Sequence, residues 1–189
     1  MSFAQLMAAH ATAVSEFIQR ATNVPSALWD VPRAPGKWAP AQETRHLALG
    51  YLAFTRELRG EGALRLKGKW WQRRLWRWTV LPHILRTGRM PRAVRAPREV
   101  RPQDAPGDRD ALLAELRDRV SGFEATVLAT RTTDPRRRVT HPYFGRLPIV
   151  PLIRLCTVHT RHHAAFLPSS FELSAIRSSS ELSASEQKL

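Results

Sequence analysis

One cysteine, Cys156, stands in the whole sequence. A lone thiol closes no internal disulfide, which suits a reducing compartment and leads us to expect a cytoplasmic protein. Apolar runs long enough to cross a bilayer are lacking. The start, Met1-Ser-Phe-Ala-Gln-Leu-Met7, has neither the basic opening nor the apolar stretch of a secretory signal. There is no internal repeat, no Gly-rich phosphate loop, no nucleophile elbow around a serine and no Cys-x-x-Cys zinc pair. Acidic residues are also scarce: 16 Asp and Glu face 30 Lys and Arg, a formal net charge of +14. That balance favours anionic partners, although a general use of Arg throughout the chain is the simpler reading. What remains is an ordinary apolar content of 43% in 189 residues, most simply one domain with a substantial core.

Periodicity places four long helices. Phe3, Leu6, Met7, His10, Val14, Phe17, Ile18 and Ala21 repeat at helical spacing over residues 2–22. His10 lies on that apolar face and reads as a hydrogen-bonded core residue. Pro25, Pro32, Pro35 and Gly36 break the pattern over 23–38, a connector that Trp29 and Trp38 should anchor over the bundle end. A second helix begins near Pro40 and runs to about Arg59, with Leu47, Tyr51, Phe54 and Leu58 as its stripe. Gly50 either leaves space above His46 or allows close helix packing, the commoner reason. A third follows Asp108, its expected cap, burying Leu112, Leu113, Leu116, Val120, Phe123 and Val127. Residues 131–146 read as a basic loop in which His141 is held by packing of Tyr143 and Phe144, or reaches over a site entrance. The last helix starts near Leu147 or Pro148, since Pro151 fits only its first turn, and ends before Pro168. Four helices with two long connections predict an all-α antiparallel four-helix bundle with crossovers. The domain is expected over 1–176, with an insertion at 60–108 between helices two and three and a disordered polar tail at 177–189.

The last helix carries the chemistry. His159 and His163 are four residues apart and share one helical face with Leu152, Leu155, Cys156 and Phe166. Two imidazoles in an interior are costly unless satisfied, and a divalent metal satisfies them well. A third ligand should come from elsewhere, and His46 on the second helix is the best candidate. Glu43, one turn earlier, could orient it or serve only as a first-turn carboxylate. His162 is rotated off the metal face and could be an outer hydrogen-bond partner. Cys156 is a possible fourth ligand but more simply an apolar filler, and His83 belongs to the insertion.

Gly36-x-Trp38, Glu43-x-x-His46-Leu47, then after a long gap His141-Pro-Tyr-Phe-Gly and His159-x-x-His162-His163, resemble the DinB-like family over about residues 1–168. The resemblance implies a four-helix bundle that binds a divalent metal through three histidines, here His46, His159 and His163. Ala39 departs from it, standing where the family usually has a hydroxyl residue, so the expected cap of the second helix is lost. Three imidazoles leave coordination positions open, as catalytic sites do, and Zn, Ni and Fe all accept them. Some relatives are similar to transferases that use low-molecular-weight thiols, so the resemblance implies a metal-dependent hydrolase or thiol-dependent transferase acting on a small-molecule substrate. Arg45 or Arg161 would suit an anionic one. Against an enzyme stands the lack of any carboxylate beyond Glu43 as a general base.

The insertion holds four of the six tryptophans, in Lys67-Gly-Lys-Trp-Trp-Gln-Arg-Arg-Leu-Trp-Arg-Trp78. Trp71, Leu75, Trp78 and Pro82 share one face and Arg73, Arg74 and Arg77 another. We expect the tryptophans to pack on the bundle or on a second subunit of a homodimer, because related bundles carry a comparable basic segment. The alternative is a non-catalytic, metal-stabilised bundle whose Trp/Arg segment binds an anionic membrane surface or nucleic acid.

Overall fold

A computed structural model describes residues 1–91, 94–102 and 107–168. Helix α1 (Phe3–Thr22) opens with a capping box: Gln5 N–H donates to Ser2 Oγ at 3.2 Å, and Ser2 N–H donates to Gln5 Oε1 at 2.7 Å. A single helical turn, α2 (Ser26–Trp29), brings Trp29 into the interior, where its Nε1–H donates to the Gly107 carbonyl at 3.2 Å. Helix α3 (Pro40–Arg59) has proline at its first position, where no N–H is needed. Ala39 has no side chain to cap it, as expected, but Gln42 Oε1 accepts the Ala39 N–H at 3.0 Å, preserving half of a box. The helix ends at Gly60, whose φ of +85° is the left-handed conformation that terminates a helix cheaply only with glycine.

Helix α6 (Arg109–Thr133) is capped by Asp108, whose side chain accepts Ala111 N–H at 2.9 Å. Helix α7 (Ile149–Ala164) places Pro151 in its first turn. The close helix pairs are α3 with α6 and α1 with α7. Their shared core includes Phe17, Phe123, Leu47, Leu113, Leu152 and Ile153, all fully buried; truncating either phenylalanine to alanine would cost about 3–5 kcal/mol. The helical-bundle expectation holds.

Two features differ from expectation. Part of the basic loop at 131–146 is a hairpin: β1 (Arg138–His141) pairs antiparallel with β2 (Gly145–Pro148), Val139 opposite Leu147. Both of those side chains are fully buried, so two inward apolar residues suffice to pin a strand pair otherwise made of polar residues and proline. The insertion is two helices, α4 (Trp70–Trp78) and α5 (Val80–Thr87), with a 3₁₀ turn at Arg98–Val100. Leu81 and Ile84 pack with Phe144, Leu147 and Leu155 in a second apolar cluster, against which Trp76 also rests. Trp70, Trp71 and Trp78 do not follow Trp76 inward; they are exposed, contrary to the packing expected of them on the bundle. Gly50 likewise departs from the close-packing reading, because a Cβ there would meet nothing within 4 Å. The tail at 177–189 and the domain end at 176 lie outside the described residues.

Candidate metal centre

His46 and the pair His159 and His163 meet in the space between α3 and α7. His159 Nε2 lies 3.3 Å from His46 Nε2 and 3.0 Å from His163 Nε2, and one nitrogen of each imidazole lies within 4.8 Å of the other two. His159 and His163 are four positions apart on α7, which puts them on one face as their spacing predicts, their rings edge-to-face at 4.4 Å.

The outer nitrogens of two rings are already committed. His46 Nδ1–H donates to the Val100 carbonyl at 2.6 Å, so its Nε2 presents a lone pair. His163 Nδ1 shares a 2.5 Å hydrogen bond with Glu43 Oε2. His159 makes no Nδ1 hydrogen bond among the described residues. Lone pairs facing each other at these separations repel unless a cation or proton lies between them. Metal–imidazole bonds of about 2.0–2.1 Å at tetrahedral or right angles put ligand nitrogens about 2.8–3.4 Å apart. Both separations from His159 fall in that range and the third pair lies within 4.8 Å, so the three-nitrogen cluster is compatible with a divalent metal.

Electrostatics keep the rings neutral, the form in which they ligate. Burial, opposed by the Val100 hydrogen bond and aided by His162, pushes the His46 pKa down to about 4. Burial first, then the neighbouring histidines, holds His159 and His163 well below the usual imidazole range. Glu43 is pushed up to about 8 by burial, against the opposing pull of Arg33. Glu43 and His163 are therefore both driven toward their neutral forms, and a positive charge at the imidazole cluster is what would ionise the carboxyl.

Other candidates fall outside the cluster. Cys156 is buried in the main core, its thiol pushed up by burial, and it is not among the converging ligand atoms. His162 lies off the cluster as its rotation predicts, its ring 4.4 Å from that of Phe166, and forms no hydrogen bond among the described residues. Arg45 and Arg161 are each paired with a carboxylate of a neighbouring helix: Arg45 with Glu115 on α6, and Arg161 with Glu16 on α1 at 3.7 Å. The cation that acts on the site is Arg33, in the proline-rich connector, which lowers Glu43 and His163 and sits 3.6 Å over the Phe166 ring. Nothing in the connector's sequence distinguishes this arginine. Trp38, expected as an anchor, walls the site, its ring 4.8 Å from His46 and nearly parallel to His163 at 6.2 Å.

His10 is the hydrogen-bonded core residue anticipated. Its Nδ1 bonds Glu124 at 2.8 Å and its Nε2 bonds Tyr51 Oη at 2.9 Å, while Tyr51 bonds Thr160 at 2.7 Å. With Glu124 accepting, the directions follow: Thr160 donates to Tyr51, Tyr51 to His10 and His10 to Glu124. This relay ties α7 to α3, α1 and α6 beside the cluster. His141, at the end of β1, accepts the N–H groups of Tyr143 and Phe144 at 3.3 Å each and stacks 4.6 Å from Phe144, so it is held by the hairpin itself.

No curated protein and no solved structure matches the chain significantly. The sequence profile of the DinB superfamily matches residues 9–167, which takes in most of α1, all of α3, α6 and α7, and all three clustered histidines. The chain belongs to the DinB superfamily.

Proposed function

We propose that His46, His159 and His163 hold one divalent metal and that the chain is a metal-dependent enzyme, a hydrolase or a transferase of low-molecular-weight thiols. The observation that carries this reading is the convergence of three neutral imidazoles whose number leaves coordination positions open. A metal bound there supplies a Lewis acid that lowers the pKa of a bound water or thiol.

The chain's own residues do the rest. Val100 fixes the tautomer and rotation of His46 through its carbonyl, and Glu43 does the same for His163. Glu43 lies behind His163 and is committed to it, which suits orientation of the ligand more than proton transfer to a substrate. Trp38 covers one side of the cluster and limits water there. Arg33, close enough to act on Glu43 and His163, offers a positive charge that suits an anionic thiol or substrate. Gly50, one turn beyond His46, leaves space that a small substrate could use.

The test is turnover of metal-loaded protein with low-molecular-weight thiols plus an electrophilic acceptor, and separately with activated esters and amides. Activity that His159→Ala abolishes, with the far-ultraviolet spectrum and melting temperature retained, supports the reading. Absence of turnover in both screens, or activity that survives the substitution, contradicts it.

A further inference from the structure

Helix α4 wears its apolar face outward. Trp71, Leu75 and Trp78 recur at helical spacing and are 48%, 52% and 69% exposed; Trp70, beside them, is 69% exposed. The inner side of the same insertion is already satisfied, since Trp76, Leu81 and Ile84 pack against the hairpin and α7. A soluble protein rarely exposes so contiguous a set of large apolar side chains without a partner for them.

The charge around this ridge has one sign. Between Glu61 and Glu99 lie 37 residues with 11 Lys and Arg and no Asp or Glu. Two of the arginines are fastened to the scaffold beside the ridge: Arg73 donates to the Lys67 and Gly68 carbonyls at 3.2 and 2.5 Å, and Arg77 donates to the Arg146 carbonyl at 3.0 Å. Between α4 and β2 runs an open groove of about 370 Å³, with Arg73, Arg74, Arg77 and Arg146 facing Trp70 and Trp78. Cations therefore flank a protruding line of tryptophans.

We propose that this face docks on an anionic phospholipid bilayer. Tryptophan is favoured at the headgroup boundary, where its ring is buried and its N–H stays wet, and a basic amphipathic helix with Trp and Leu on one side lies in the interface plane. The binding is peripheral, consistent with the absence, among the described residues, of any helix long and apolar enough to span. A second copy of the chain fits less well, because a twofold contact through this patch sets its arginines against their own like charges. Single-stranded nucleic acid could stack on Trp70 and Trp78 in the basic groove, but it would leave Trp71 and Leu75 uncovered on the outward ridge, which a bilayer surface covers together with them. The surface is independent of the metal cluster, so either can fail alone.

The experiment is flotation of the full chain with phosphatidylcholine vesicles and with vesicles that also contain phosphatidylserine. Parallel runs use Trp71→Ala/Trp78→Ala and Arg74→Glu/Arg146→Glu, each checked for an unchanged circular dichroism spectrum. Binding only to the anionic vesicles is expected, with the partition coefficient reduced about tenfold or more in both double variants. Tryptophan fluorescence should be quenched by lipids brominated near the headgroup. Absence of binding to anionic vesicles overturns the proposal. So does binding that Trp71→Ala/Trp78→Ala leaves intact. Self-association or oligonucleotide binding that the tryptophan variant abolishes, with no vesicle binding in the wild type, would reassign the face to a second copy or to nucleic acid.

Discussion

Glu43 on α3 and His163 on α7 share a 2.5 Å hydrogen bond, with both groups buried. It is one of three polar bridges between these two helices, the others being His46 with His159 and Tyr51 with Thr160. Where α3 meets α6 and α1 meets α7 the buried contact is apolar, and the ion pairs Arg45–Glu115 and Arg161–Glu16 lie at its more exposed edges. The bundle therefore opens a polar seam on one side, and the imidazole cluster lies in it.

Replacing Glu43 tests the orienting role directly. Glu43→Gln keeps an oxygen that can accept from His163 Nδ1 but removes the charge, and metal affinity should fall about 10- to 100-fold. Competition against a chromophoric chelator measures it. An unchanged affinity would reduce Glu43 to a structural neighbour.

The relay through Tyr51 is structural. Tyr51→Phe leaves His10 Nε2 and Thr160 Oγ1 without their partner in the interior, at a cost of about 1–3 kcal/mol. Urea denaturation should show that loss while metal stoichiometry stays at the wild-type level. A loss of metal together with stability would mean that the relay also positions α7.

Gly50 is helical and has open space over its Cα. Gly50→Ala should therefore stabilise the protein by about 0.5–1 kcal/mol through helix propensity, seen as a higher melting temperature. Destabilisation would show that close packing requires the glycine after all.

Glu57 ties the insertion to the hairpin. Its carboxylate accepts Ala63 N–H at 2.6 Å, Leu64 N–H at 2.9 Å and Thr140 N–H at 3.3 Å. Burial pushes its pKa up, but the Leu64, Ala63 and Thr140 donors outweigh it and hold the carboxyl below its ordinary 4.5. A depressed folded-state value contributes stability above the unfolded pKa, and that contribution is lost as pH falls through the folded value. The stability difference between wild type and Glu57→Gln should be about 1 kcal/mol at neutral pH and should vanish on acidification below 4.5. A difference that persists in acid would locate the effect in packing.

The bundle and the cluster were legible because each left a periodic mark. The apolar stripes of α1, α3 and α6, the i, i+4 spacing of His159 and His163 and the cap at Asp108 are all patterns within a few residues. The Val100 carbonyl that fixes His46 left none, since every residue has a carbonyl and the insertion folds back from 54 positions away. Arg33 was indistinguishable from 29 other basic residues until the connector placed it over Phe166. The hairpin was hidden because its strands are only four residues long and the second, Gly145–Pro148, begins and ends on residues poor in strands. The direction of α4's apolar face depends on which side the hairpin covers, and helical spacing alone is silent on that.

Metal content is the most direct test of the three-histidine centre. Untagged protein purified without chelator should carry about one divalent ion per chain, and His46→Ala, His159→Ala and His163→Ala should each lose it while remaining folded. Metal-free wild type that takes up none on titration with zinc, nickel or iron(II), or variants that retain the ion, would contradict the account.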